Sequence, residues 1–181
     1  MKVAVLGLGY VGCVTAACLA ARGNIVVGVD SDLGKVDDLR RGSSPVVEPG
    51  LDSLIREQVE SGRLTATPDL GAAVAGADVA LICVGTPSRS NGSLDLSHVG
   101  RVCEQIGTHI GASDGRVVVA VRSTVLPGSV AATVVAALES SSGRRAGPSA
   151  GRGAPRAEGV VHRPAALAVP RRSTSQRPYA C

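Results

Sequence analysis

The 181-residue chain has no tryptophan, no phenylalanine, one methionine and only two tyrosines, Tyr10 and Tyr179. Any core must therefore be assembled from Val, Leu, Ile and Ala, and stacking of nucleic-acid bases on aromatic side chains is all but excluded. No run of about 18 apolar residues occurs, so no membrane-spanning helix is expected. The amino terminus, Met1-Lys2 followed by a Val/Ala/Leu strand pattern, lacks a signal-peptide layout with its cleavage site. The expectation is a soluble, cytoplasmic protein without a membrane partner. Also missing is any Cys-x-x-Cys pair: the five cysteines (Cys13, Cys18, Cys83, Cys103 and Cys181) are odd in number and widely spaced. That argues against a disulfide framework and a zinc site, and favours small apolar residues in a reducing compartment. The length fits one domain.

Acidic residues are almost absent from the last quarter of the chain. Residues 1–139 hold 11 basic and 14 acidic side chains, whereas residues 140–181 hold eight arginines and a single acid, Glu158. Of those last 42 residues, 32 are Arg, Ala, Ser, Pro or Gly. Such a segment has too little apolar surface to offset its ordering entropy, so 140–181 is expected to be a disordered tail following a folded domain over 1–139. The rival reading, a basic arm for nucleic acid, is disfavoured because the arginines are scattered rather than clustered.

What is present before the tail is an alternation of short apolar runs with helix-like stretches, the α/β signature. Lys2–Leu6 (KVAVL) and Ile25–Val29 (IVVGV) read as strands buried on both faces, with further strands at Arg63–Thr67, Asp78–Val84 and Arg116–Val121. Helices fit at Val11–Arg22, Leu33–Arg41, Leu51–Ser61, Leu70–Ala75, Leu96–Ile110 and Ser129–Glu139. Right-handed crossovers between successive strands then give a Rossmann-type, doubly wound, mainly parallel sheet, incomplete on its carboxyl-terminal side because no sixth strand follows the last helix.

The first strand runs into Gly7-Leu8-Gly9-Tyr10-Val11-Gly12, a complete G-x-G-x-x-G, and Asp30 follows Gly12 by 18 residues at the end of the second strand. That spacing within a βαβ unit is what a dinucleotide site requires. Gly7 permits the tight turn, Gly9 lets backbone approach a pyrophosphate, and Gly12 lets helix and strand pack closely beneath the helix amino terminus. Asp30 is positioned to accept hydrogen bonds from ribose hydroxyls. The same carboxylate repels a 2′-phosphate, and Ser31 and Asp32 offer no arginine to hold one, so NAD is favoured over NADP. Two more loops, Gly85-Thr86-Pro87 and Ser123-Thr124, follow the fourth and fifth strands, where ligands bind in such sheets. Thr86 and Thr124 can each bond a ribose or nicotinamide group, or instead bond turn backbone. Lys35 lies within reach of the adenosine end, with a solvated helix charge as the alternative. His98 and His109 sit on helices without a motif and read as surface or capping residues.

Taken in order, GLGYVG, VGVD, SPVVEPGL (Ser44–Leu51), VGTPS with NGSLDL (Val84–Leu96) and VRSTVLPG (Val121–Gly128) resemble the amino-terminal domain of the UDP-glucose/GDP-mannose dehydrogenase family. ICVGTPS, RSTVLPG and SGRRAG are more similar to the GDP-mannose than to the UDP-glucose branch. The resemblance covers about residues 1–147. It implies that Tyr10, Val11, Asp30, Lys35, Thr86 and Thr124 line an NAD site.

The resemblance further implies oxidation of a sugar C6 alcohol to a carboxylate in two hydride transfers, with two NAD and a cysteine forming thiohemiacetal and thioester intermediates. Intact members are homodimers. The strand that carries the family's Asn-Pro-Glu motif, and the nucleotide-sugar domain beyond it, have no counterpart here; GPSAGRGAPRAEGVVHRP stands instead. None of the cysteines present matches the catalytic one. The chain is thus expected to be a truncated or frameshifted fragment that binds NAD but lacks catalytic residues, and meets a nucleotide sugar only if the missing half is supplied. The alternative is a non-catalytic NAD-binding or interaction module with a basic tail.

Overall fold

The computed structural model describes residues 1–112, 117–125, 128–147 and 157–158. Five strands, β1 (Lys2–Leu6), β2 (Ile25–Val29), β3 (Leu64–Thr67), β4 (Val79–Ile82) and β5 (Val118–Val121), form one sheet in the order β3-β2-β1-β4-β5. Every pairing is parallel, with Lys2 opposite Ile25, Val3 opposite Val79, Val26 opposite Leu64 and Val79 opposite Val118. Helices α1 (Tyr10–Ala21), α2 (Leu33–Arg40), α3 (Leu51–Glu60), α4 (Leu70–Val74) and α5 (Ser97–Gly111) connect the strands. After β5 a π-helical turn (Val130–Val135) runs directly into α6 (Ala136–Ser142). The doubly wound, parallel Rossmann-type sheet expected from the sequence is the one observed.

Strand side chains alternate between two apolar layers, as a period of two requires. On one face Val3 and Val5 of β1 pack with Cys13, Ala16, Ala17 and Ala20 of α1, Leu39 of α2 and Ile55 of α3. On the other, Ala4 and Leu6 meet Ile82, Val99, Cys103, Ile106, Val134 and Leu138, under α5 and α6. The alanines of α1 let that helix lie close on the sheet, so both layers close without aromatic volume. Sheets buried on both faces read as continuous apolar runs, which is why β1 and β2 have the bounds their sequence suggested.

Several boundaries differ from expectation. β4 is shorter than Asp78–Val84, because Cys83 and Val84 have already turned into the loop, and α6 runs through Ser142, three residues beyond Glu139. Ser140–Ser142 therefore belong to the folded part rather than to the tail. Two-residue strands, β6 (Ala146–Gly147) and β7 (Ala157–Glu158), pair in parallel as a separate ladder. Of the expected tail, residues 148–156 and 159–181 lie outside the described residues. The segment between β4 and α5 is a small hairpin: Ser88 and Leu94 form an antiparallel bridge, Arg89 N–H donates to Ser93 O at 2.7 Å, and Arg89 pairs with Asp95 at 3.1 Å. Cys18 is disulfide-bonded, where a free thiol was expected. No helix among the described residues is long and apolar enough to cross a membrane.

Candidate functional site

The carboxyl ends of β1, β2, β4 and β5 converge on one edge of the sheet, and the glycine-rich turn after β1 lies between two of them. Gly7 N–H donates to Val29 O at 2.7 Å, continuing the β1–β2 ladder one residue past Leu6. Gly7 has φ +104°, and a Cβ there would stand 2.9 Å from Cys83 O, so conformation and space both demand glycine. Gly12 is constrained by contact alone: its Cβ would lie 1.8 Å from Gly7 O. Around Gly9, in contrast, no atom lies within 4 Å of a would-be Cβ. The turn is tight on its protein side and open where a ligand's phosphates would approach.

Gly9 is also the N-cap of α1, and neither a capping side chain nor a first-turn acid neutralises that helix end. The partial positive charge of that end favours an anion. Tyr10 and Val11, the first two helical residues, are 54% and 43% exposed although both are large and hydrophobic. Exposure of that kind on a helix end suits contact with a ligand better than contact with water.

Asp30, one residue beyond β2, closes the turn from the other side. Its Oδ2 accepts the Leu8 backbone N–H at 2.7 Å, its Oδ1 accepts the Asp32 N–H at 3.0 Å, and Lys35 Nζ lies 3.5 Å away. The carboxylate therefore fixes the glycine turn against β2. With about four lone-pair directions available to a carboxylate, it retains acceptor capacity for a pair of hydroxyls. Lys35 is drawn toward Asp30 rather than left as a free surface charge. Asp32 contributes by capping α2, its side chain accepting from the amides of Gly34 and Lys35.

The loops after β4 and β5 are joined. Thr86 Oγ1 donates to Thr124 O at 3.1 Å, and Ser123 Oγ donates to Val84 O at 2.6 Å. Thr86 thus spends its hydroxyl proton on backbone, though of the neighbouring loop rather than its own turn. Ser123, named in the sequence only as part of its loop and given no role of its own, is the clamp. Glu48 was also missed. It accepts a hydrogen bond from the Tyr10 hydroxyl across 38 positions of sequence, a proximity no spacing rule could supply. Leu33, the first residue of α2, is 61% exposed.

None of the three described free cysteines is an activated nucleophile. Burial pushes the Cys13 thiol up to about 12 against the pull of Lys35, and pushes Cys103 to about 12 as well. Cys83 rises to about 11 for the same reason, with Arg122 opposing. His109 packs its ring over Gly71 of α4, a structural position. The glycine cradle, the uncapped helix end and the strand-end carboxylate fit the pyrophosphate and ribose of a dinucleotide.

A model of the UDP-glucose/GDP-mannose dehydrogenase family, NAD binding domain, matches residues 1–164. The GDP-mannose 6-dehydrogenase of Pseudomonas aeruginosa is 49% identical over 147 residues, which is 81% of this chain and 34% of that protein. The UDP-glucose 6-dehydrogenase of the same bacterium is 50% identical over 110 residues, 61% of this chain and 24% of that one. A crystal structure of a ternary complex of GDP-mannose dehydrogenase from Pseudomonas aeruginosa superposes with a TM-score of 0.82 at 46% identity, covering 88% of this chain and 35% of the other. The chain spans about a third of the length of the GDP-mannose relatives it matches. This chain belongs to the UDP-glucose/GDP-mannose dehydrogenase family, of which it carries the NAD binding domain.

Proposed function

We propose that residues 1–139 hold one NAD at the sheet edge and act as the cofactor-binding part of a nucleotide-sugar 6-dehydrogenase. The observation that carries this reading is the Asp30 carboxylate, tied to the glycine turn through Leu8 N–H at 2.7 Å beside the open space at Gly9. Gly7, Gly9 and Gly12 shape the turn, and the amides of Tyr10 and Val11 face the phosphates. Asp30 receives the adenosine ribose hydroxyls, with Lys35 beside it. Thr86 and Thr124, linked to one another, border the nicotinamide end. NAD supplies a hydride acceptor, and the chain's own residues orient it and keep it in register.

GDP-mannose is favoured over UDP-glucose as the sugar nucleotide of the complete enzyme. The supporting observation is that likeness to the Pseudomonas aeruginosa GDP-mannose 6-dehydrogenase extends over 147 residues, against 110 for the UDP-glucose enzyme of that bacterium. By itself the 181-residue chain is inactive on either sugar nucleotide. Covalent oxidation at C6 needs a thiolate, and among the described residues the free thiols, those of Cys13, Cys83 and Cys103, are held protonated by burial.

Isothermal calorimetry on the purified chain tests the cofactor reading: NAD binds, NADP binds far more weakly, and Asp30→Ala weakens NAD strongly and narrows the preference. Equal affinity of the parent chain for both dinucleotides overturns it. Steady NADH formation with GDP-mannose or UDP-glucose, surviving replacement of each cysteine in turn, overturns the claim of inactivity.

A further inference from the structure

The segment Ser44–Leu51, singled out in the sequence, has no part in the cofactor reading above, yet it reaches the site. It is a stiff connection between α2 and α3. Ser44 N–H donates to Asp52 Oδ1 at 2.6 Å, Ser44 Oγ donates to Val46 O at 2.6 Å, and Leu51 N–H donates to Glu48 O at 3.1 Å. Gly50 turns the chain at φ +81°, and Leu51 anchors the end in the core at 4% exposure. Glu48 is thereby held by its backbone at the start of α3, and its carboxylate accepts the hydroxyl proton of Tyr10. Tyr10 is the first residue of α1, on the helix end whose amides have no capping side chain.

We infer that Glu48 is a positioning residue for the dinucleotide, acting through Tyr10. The inference rests on the NAD reading above. A ligand that packs beside an exposed tyrosine at a helix end needs that side chain in one rotamer. A hydrogen bond to a carboxylate, the stronger kind, makes that selection before the ligand arrives. The Pro-Val-Val-Glu-Pro-Gly segment so gains a role: it carries an acceptor to Tyr10, the one aromatic side chain among the described residues. Restoring rotor freedom to one such side chain is worth about a threefold to tenfold loss of affinity.

Tyr10 and Tyr179 are the only aromatic residues, so Tyr179→Phe leaves Tyr10 as the sole source of intrinsic fluorescence. In that background NAD is titrated into full-length chains carrying Glu48→Ala, Glu48→Gln, Tyr10→Phe and the Tyr10→Phe/Glu48→Ala pair. Glu48→Ala and Tyr10→Phe each weaken NAD about threefold to tenfold, and the pair is no weaker than either alone, the non-additivity expected of one shared contact. Glu48→Gln, whose amide oxygen still accepts the phenol proton, recovers most of the affinity. Tyr10 emission, quenched by hydrogen bonding to the carboxylate, rises in Glu48→Ala without any ligand. Additive losses, or unchanged NAD affinity in Tyr10→Phe, overturn the inference, and the second result decides even if Glu48→Ala fails to fold. A parent chain that binds no NAD overturns the cofactor reading and this inference together, whereas a parent that binds but shows no coupling overturns this inference alone.

Discussion

Gly12→Ala sets two well-known effects against each other. Helix propensity alone favours alanine by about 1 kcal/mol at an interior helical position. The structure reverses the sign. The added Cβ would fall 1.8 Å from Gly7 O and 2.9 Å from Gly7 C, where ordinary contact begins near 3.4 Å. What it meets is backbone, and that backbone is fastened: Gly7 N–H is on Val29 O at 2.7 Å, and Leu8 N–H is on Asp30 at 2.7 Å. Relief requires α1 to lift from the turn by more than 1 Å, roughly, which opens the layer around Cys13 and Ala16. Overpacking of a core costs about 1–3 kcal/mol where side chains can yield, and an immovable carbonyl places this case at the upper end. The net expectation is a loss of about 2 kcal/mol, which for a chain of this size lowers Tm by about 4–8 °C. NAD affinity falls with it, because the lifted helix end no longer faces the phosphates. Gly100→Ala is the internal control. It too lies inside a helix, but its Cβ would find only Thr133 Cγ2 at 3.8 Å, so the propensity gain of about 0.5–1 kcal/mol survives and the variant is more stable than the parent. Urea and thermal unfolding followed by far-UV circular dichroism, with NAD titration of each variant, measure both. If Gly12→Ala is as stable as the parent, or if both variants shift in the same direction, the close approach of α1 to the turn is wrong.

Asp30→Ala removes the partner of Leu8 N–H, Asp32 N–H and Lys35 together, so it lowers NAD affinity at least tenfold and narrows the gap to NADP; unchanged discrimination in calorimetry contradicts the role given to that carboxylate. Asp95 is held down to about 2, first by the Ser97 backbone N–H, then by the Ser97 side chain and Arg89. A carboxyl lowered on folding stabilises above its unfolded value and loses that contribution as pH falls, so the Pro87–Asp95 hairpin loosens between about pH 4 and pH 2. Carbon-detected NMR titration of Asp95 checks this, and a midpoint near 4 refutes it. Cys13, Cys83 and Cys103 resist iodoacetamide at pH 8 in the native chain and react in urea, since their thiols are raised to about 12, 11 and 12. Raised thiols stabilise below their unfolded value, so stability declines as pH climbs from about 9 toward 12 and thiolates form; a flat alkaline limb in urea titrations contradicts the assignment.

Sequence reading succeeded where a residue's reason lies in its own neighbourhood. β1 and β2 could be bounded because their apolar runs end at Gly7 and Asp30; α4 starts at Leu70 as expected, where the Asp69 side chain accepts from Ala72 N–H at 3.0 Å, but ends at Val74, one residue before Ala75. Of the three glycines of the turn, Gly7 has the positive φ that a tight turn uses, Gly12 closely approaches the Gly7 carbonyl, and Gly9 has open space around it. What stayed hidden depends on partners far apart in the chain. Asp30 could be read as an acid at a strand end, but its hold on Leu8 N–H exists only once the turn has brought residue 8 back over β2. The Pro87–Asp95 hairpin is made by polar groups, Arg89, Asp95 and Asn91, that carry no periodicity. The π-helical turn at Val130–Val135 leaves no mark in a run of Val, Ala and Thr. The composition shift near Ser140 likewise could not say that Ser141 Oγ donates to Ala137 O at 2.6 Å, one of the bonds along the last turns of α6.

The clamp between the two loops bears on how the groove moves. Ser123 Oγ on Val84 O, Thr86 Oγ1 on Thr124 O, and the Arg122 and Ser123 amides both on Ile82 O at 2.9 and 3.1 Å join the ends of β4 and β5 at four points. Neither loop can swing open without breaking bonds to the other. They therefore open as one cooperative unit, and the amides of the two segments exchange with solvent at a common rate although about 40 residues separate them in sequence. Ser123→Ala removes one of the four points, so it loosens the coupling of two loops that lie about 40 residues apart in the chain without abolishing it.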